Sequence, residues 1–71
     1  MTFGEKAVGL SFNPSGDQDV ETLKRLYASI IDMMDTLRKP LTGEKARLCS
    51  VAITEAQTAQ MWAVKAVTFR E

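Results

Sequence analysis

Three cationic side chains stand where they could meet an anion. Lys24 falls beside an apolar helical stripe rather than opposite it, so its ammonium could reach a pocket rim. The competing reading is a stem along apolar surface with its head in water. Arg47 sits near the start of a second helical segment, where a positive charge gains nothing from the helix dipole. Its guanidinium could fork onto a phosphate or a base edge. It could equally pair with Glu44 or with a carboxylate of the first helix. Lys65 shares a face with Thr58 and Met61, a polar set in a helix otherwise rich in alanine. That face is either a lined pocket or a solvated surface. Tyr27 and Trp62 are the rings best placed to stack on a base. Both lie on apolar stripes, where rings are core more often than platform. Phe12, just ahead of an Asn-Pro turn, is less committed and could cap a pocket or staple the lead-in onto the helices.

No catalytic constellation accompanies these groups. The chain has no histidine and a single cysteine, Cys49, set among apolar neighbours as a small buried hydrophobe. One cysteine and no histidine cannot build a zinc cage. Ser29 and Ser50 occupy ordinary helix positions. The four glycines have no phosphate-loop spacing. Gly16 and the amides of the following helix suggest an anion seat, but Asp17, Asp19 and Glu21 already complement that dipole. The expectation is a binding protein with no catalytic residue, metal or cofactor.

Small size constrains how these residues can be positioned. A chain of 71 residues is one small domain, and such chains bury only roughly 60% of their unfolded surface. Disulfide and metal being excluded, self-association is the remaining way to complete a core. Nine basic and nine acidic side chains balance, so the overall basic field of a protein that tracks DNA or RNA is missing. No apolar run approaches the ~20 residues of a membrane span, and the first residues lack the pattern of a signal peptide. The sequence reads as intracellular.

The lead-in, residues 1–16, reads as an extended strap. Ala7 to Phe12 has a weak alternation that admits a short strand, and Asn13-Pro14-Ser15-Gly16 is a turn cluster. A first helix is expected over 17–39, with Ser15 or Asp17 as its N-cap. Val20, Leu23, Tyr27, Ile30, Met34 and Leu37 recur at alternating spacings of three and four, and Leu26, Ile31 and Met33 widen the stripe. Pro40 and the turn Leu41-Thr42-Gly43 imply an antiparallel return. A second helix is expected over 42–69. Its ridge of Ala52, Ala56, Ala59, Ala63 and Ala66 would allow close helix approach. The fold class is therefore all-α, an antiparallel two-helix hairpin with an extended N-terminal strap, assembled into a compact homo-oligomer.

The run from Gly9 to Gly16 resembles the lead-in of small phage-encoded proteins. Arg47-Leu48-Cys49-Ser50-Val51-Ala52-Ile53-Thr54, followed by Thr58-Ala59-Gln60-Met61-Trp62-Ala63-Val64-Lys65-Ala66, resembles their second helix. These proteins form the phage anti-CBASS nucleotide-sponge family, whose hairpin is shared with Thoeris anti-defence sponges. The resemblance runs from about Gly9 to Phe69. It implies a homohexamer that sequesters cyclic oligonucleotide messengers in the cytoplasm of an infected bacterium, without cleaving them, so that an immune effector is not activated. Cyclic dinucleotides would bind between protomers, and some members also hold cyclic trinucleotides. On this resemblance Phe12, Asn13 and Ser15 would close over the ligand, Lys24 would neutralise phosphate and Tyr27 would be available for stacking. Arg47, Thr58 and Lys65 would form a second anion pocket. Two rivals stand beside it: a helical assembly protein with no nucleotide ligand, and an enzyme that degrades the messenger.

Overall fold

Thr2 and Glu5 start the chain with a reciprocal cap. In the computed structural model, which describes residues 1–71, Thr2 Oγ1 accepts from the Glu5 amide at 3.1 Å and the Thr2 amide donates to Glu5 Oε1 at 2.8 Å. This capping box satisfies two free amides at once and nucleates the short helix α1, Phe3–Ala7. The expected extended strap is therefore corrected: its first half is helical, and no strand forms over residues 7–12. Gly9 (φ +63°) follows the C-cap Val8 and turns the chain away from α1, and residues 8–11 are turns. Local capping outweighs a weak alternation of side-chain size.

α1 docks on the next helix through a residue with no side chain. A Cβ on Gly4 would run into the carbonyl oxygen of Ala28, so only glycine allows this approach. The Gly4 amide donates to Asp32 Oδ1 at 2.6 Å. Arg25 approaches Glu5 at 3.9 Å and Glu21 at 3.5 Å.

Helix α2 spans Gln18–Arg38 and helix α3 spans Gly43–Thr68. Each is one residue shorter at either end than the apolar pattern suggests. Asp17 caps α2, its Oδ1 accepting from the amides of Asp19 at 2.7 Å and Val20 at 3.2 Å. Thr42 occupies the N-cap position of α3 with extended backbone but makes no capping hydrogen bond. Arg38 ties the hairpin end together. It bonds Asp35 at 2.9 Å and Ser50 Oγ at 3.1 Å, and lies 5.3 Å from the Phe3 ring centroid.

The core is small. Val8, Ala28, Ile31 and Ile53 form it, with Tyr27, Met34 and Ala56 packed against its edge. The molecule measures 44 × 25 × 13 Å, and its least dimension is little more than one helix diameter of ~10–12 Å. A layer one helix thick buries one face of each helix and leaves the other uncovered. The broad α2 stripe is thus split. Val20, Lys24, Ala28 and Ile31 face inward, while Leu26, Ile30, Met33 and Leu37 are exposed. The alanine ridge of α3 divides in the same way. Ala56 packs on the core and Ala59 is exposed, so the ridge is not a single packing face. Trp62, on a stripe that favoured burial, is 65% exposed. Cys49 is buried and free, as its apolar neighbours suggest.

Candidate functional site

The antiparallel hairpin sets the last turns of α3 beside the first turns of α2. The loop after α1 crosses this end of the molecule. The three segments border an open cavity of about 310 Å³. The loop gives Phe12, Asn13, Pro14 and Ser15; α2 gives Val20 and Lys24. From α3 come Val64 and Thr68.

Side chains hold the loop in shape. Asn13 Nδ2 donates to the Asp17 carbonyl at 3.0 Å, and Ser15 Oγ donates to Asn13 Oδ1 at 3.0 Å. The Asp17 amide reaches Ser15 Oγ at 3.3 Å, and the Gly16 amide bonds the Asn13 carbonyl at 3.0 Å. The Phe12 ring is 71% exposed.

Lys24 lies in the wall of the cavity and is only 5% exposed, so it does not extend its head into bulk water. Its Nζ donates to the carbonyls of Gly9, at 2.9 Å, and Phe12. The Phe12 ring centroid is 5.6 Å away, in cation–π range. None of the ion pairs in the chain involves Lys24. An ammonium has three N–H donors. Two carbonyls satisfy two of them and leave the positive charge without an opposing carboxylate. A charge removed from water and left uncompensated favours an anionic partner.

The other residues singled out from sequence do not join this cavity. Tyr27 is half-buried against the core. Arg47 is exposed and grips Glu44 with both arms, at 2.6 and 2.7 Å. That hydrogen bonding holds the Glu44 carboxyl below its ordinary value and raises the Arg47 guanidinium. Thr58 Oγ1 donates to the Thr54 carbonyl at 3.3 Å, within its own helix. The Lys65 ammonium stands 5.3 Å from the Trp62 ring centroid. Arg47, Thr58 and Lys65 share a side of α3. At 1.5 Å per residue Arg47 and Lys65 are about 27 Å apart along the axis, so one chain does not converge them on one small ligand.

Sequence reading missed Pro14, Val20, Val64 and Thr68 as cavity lining. Hairpin register was the available signal: a short turn opposes residues near 20 to residues near 64 and 68. A second cavity of about 290 Å³ adjoins, sharing Ser15 and Thr68 with the first. No helix is long and apolar enough to cross a membrane.

Compared with known protein families, the chain is matched over residues 5–68 by the model described as the Acb2/Tad1 hairpin domain. This chain belongs to the Acb2/Tad1 hairpin family. The family is that of the anti-CBASS and anti-Thoeris sponges, phage proteins that bind cyclic nucleotides without catalysis. No curated protein and no solved structure is matched by the chain. The Acb2/Tad1 match takes in the cavity's loop, its lysine and both long helices. It stops at the end of α3, before Phe69, Arg70 and Glu71.

Proposed function

We propose that this chain sequesters cyclic dinucleotides, intact, between protomers, with the cavity of the residue 9–16 loop, α2 and α3 as one chain's share of the pocket, and that it does so in the cytoplasm of a phage-infected bacterium. The observation that carries this reading is Lys24: a shielded ammonium without a carboxylate, in the wall of a cavity edged by an exposed ring. Phosphate takes the charge, and the Phe12 ring stacks on a base. Asn13 and Ser15 hold the loop that carries that ring. Withholding a messenger requires affinity and abundance, and no bond need be broken.

The assembly belongs to the same proposal. Leu26, Ile30, Met33 and Leu37 form an uncovered stripe at spacings of four, three and four, suited to a second copy of α2 or α3. Closed assembly into a hexamer would cover it. It would also bring Arg47, Thr58 and Lys65 of different copies together, the arrangement a second anion pocket for a cyclic trinucleotide needs. Balanced charge argues against long DNA or RNA as the partner.

A thermal-shift panel of cyclic di- and trinucleotides tests the reading. Ligand at 100 times its dissociation constant stabilises the fold by about 2.7 kcal/mol per site. A clear rise in melting temperature with at least one cyclic dinucleotide is expected. No shift with any of them would leave the rival reading, a helical assembly protein with no nucleotide ligand. The uncovered α2 stripe supports that rival equally well, because it requires self-association and nothing more.

A further inference from the structure

Lys24 and Gln60 are the two polar side chains buried in the hairpin, at 5% and 6% exposure. Helix register sets them opposite each other. Val20 and Val64 line one cavity, Ala28 and Ala56 belong to the core, and so do Ile31 and Ile53. Each step along α2 toward the hairpin turn is matched by one along α3. The step between the valine and alanine pairs holds Lys24 and Gln60. The buried stripes agree: Val20, Lys24, Ala28 and Ile31 on α2, and Cys49, Ile53 and Gln60 on α3.

Gln60 stands apart from the other neutral polar side chains of its helix. Ser50, Thr54, Gln57, Thr58 and Thr68 each donate to a carbonyl. Gln60 makes no hydrogen bond within the chain. No fully buried side-chain nitrogen or oxygen is left without a partner, so its amide atoms keep a narrow exposure. An unpaired carboxamide held away from water costs free energy that an apolar side chain of similar size would not. It carries two N–H donors and a carbonyl acceptor. Its neighbours along α3 and across the hairpin, Val64 and Lys24, both line the cavity. Lys24 itself keeps one N–H beyond its bonds to the Gly9 and Phe12 carbonyls.

We propose that Gln60 is a further ligand-contacting residue, donating an amide N–H to the phosphate whose charge Lys24 takes. The inference rests on the sponge reading above and concerns one chain's share of the pocket. A phosphate oxygen is an acceptor that both groups, opposite in register, can share. Lys24 supplies charge and Gln60 a directed neutral donor, so the phosphate is oriented as well as attracted.

Calorimetric titration of the full chain with cyclic di-AMP, cyclic di-GMP and cyclic GMP–AMP, beside thermal denaturation, tests it. Gln60→Leu removes the amide and keeps the bulk. It should melt at or above the parent's temperature, sediment as the parent does, and bind about tenfold more weakly. Gln60→Glu sets a carboxylate opposite Lys24. It should pair with the ammonium, repel phosphate and lose at least as much affinity. Parent-like affinity in either variant would overturn the proposal and spare the sponge reading. So would a Gln60→Leu melting temperature well below the parent's, because the amide would then be serving the fold. A parent chain that binds none of the three nucleotides would remove the sponge reading first, and this contact with it.

Discussion

Lys24 and Phe12 are joined twice: the ammonium donates to the Phe12 carbonyl and lies 5.6 Å from the centroid of the same residue's ring. The lysine thus fixes the backbone of the loop and sits beneath the ring that loop presents. Loop order, and on the proposed function binding as well, depend on this one side chain. Lys24→Met should break both, at about 1–3 kcal/mol of stability for the two carbonyls left without a donor. Chemical denaturation measures the stability loss, and titration with a cyclic dinucleotide should show weaker affinity. Unchanged affinity would assign Lys24 to the fold alone.

Gly4 provides a test of the N-terminal helix. Gly4→Ala places a methyl group against the Ala28 backbone and forces α1 off α2. The expected loss is about 1–3 kcal/mol, the usual range for overpacking. A denaturant midpoint equal to that of the parent would show that α1 docks elsewhere.

How much of this could be read in advance differs from element to element. The two long helices were legible because Val20 to Leu37 and the alanine-rich segment keep a helical period over many turns. Helix α1 was legible in principle, since Thr2 and Glu5 stand at capping-box spacing, but five residues are too few for periodicity to show. Phe12, Asn13, Ser15 and Lys24 were singled out and do line one cavity. The environment of Lys24 was not legible. Its partners are carbonyls 12 and 15 residues upstream, and backbone acceptors leave no mark in a sequence. Which half of a wide apolar stripe turns inward depends on where the loop and α1 dock, and this split Ile30 from Ile31.

The alanine ridge gives a paired prediction. Ala56 packs on the core and Ala59 is exposed. Ala56→Leu should destabilise by about 1–3 kcal/mol. Ala59→Leu should leave the single chain's stability nearly unchanged, and a sedimentation change in that variant alone would place Ala59 at a contact between copies.

The outer face of α2 addresses assembly. Ile30→Asp puts a charge in the middle of the uncovered stripe, at a position 50% exposed in the single chain. The helix itself should survive. Sedimentation should shift to smaller species, because a charge facing apolar surface is not tolerated in a contact between copies. A parent-like sedimentation profile would move the interface to another face.

Glu44 restrains Arg47, and pH reports on it. The Glu44 carboxyl titrates below its ordinary value of 4.5 because of the Arg47 hydrogen bonds. A lowered carboxyl pKa means that the pair's contribution is present above the ordinary value and is lost as pH falls through the lowered one. Both groups are fully exposed, so the effect on melting should be small and screened by salt. Glu44→Gln at neutral pH should release the guanidinium. If Arg47 serves a second anion pocket in the assembly, cyclic trinucleotide affinity should rise; unaltered affinity would count against that pocket.

A sponge retains its messenger unbroken, and one measurement addresses this directly. The protein is incubated with a cyclic dinucleotide, freed of excess by gel filtration, then heated, and the released nucleotide is identified by mass spectrometry. The cyclic form should emerge intact, in fixed proportion to protein, and Lys24→Met should carry far less through the column. Linear product, or no nucleotide co-eluting with the parent chain, would contradict the account.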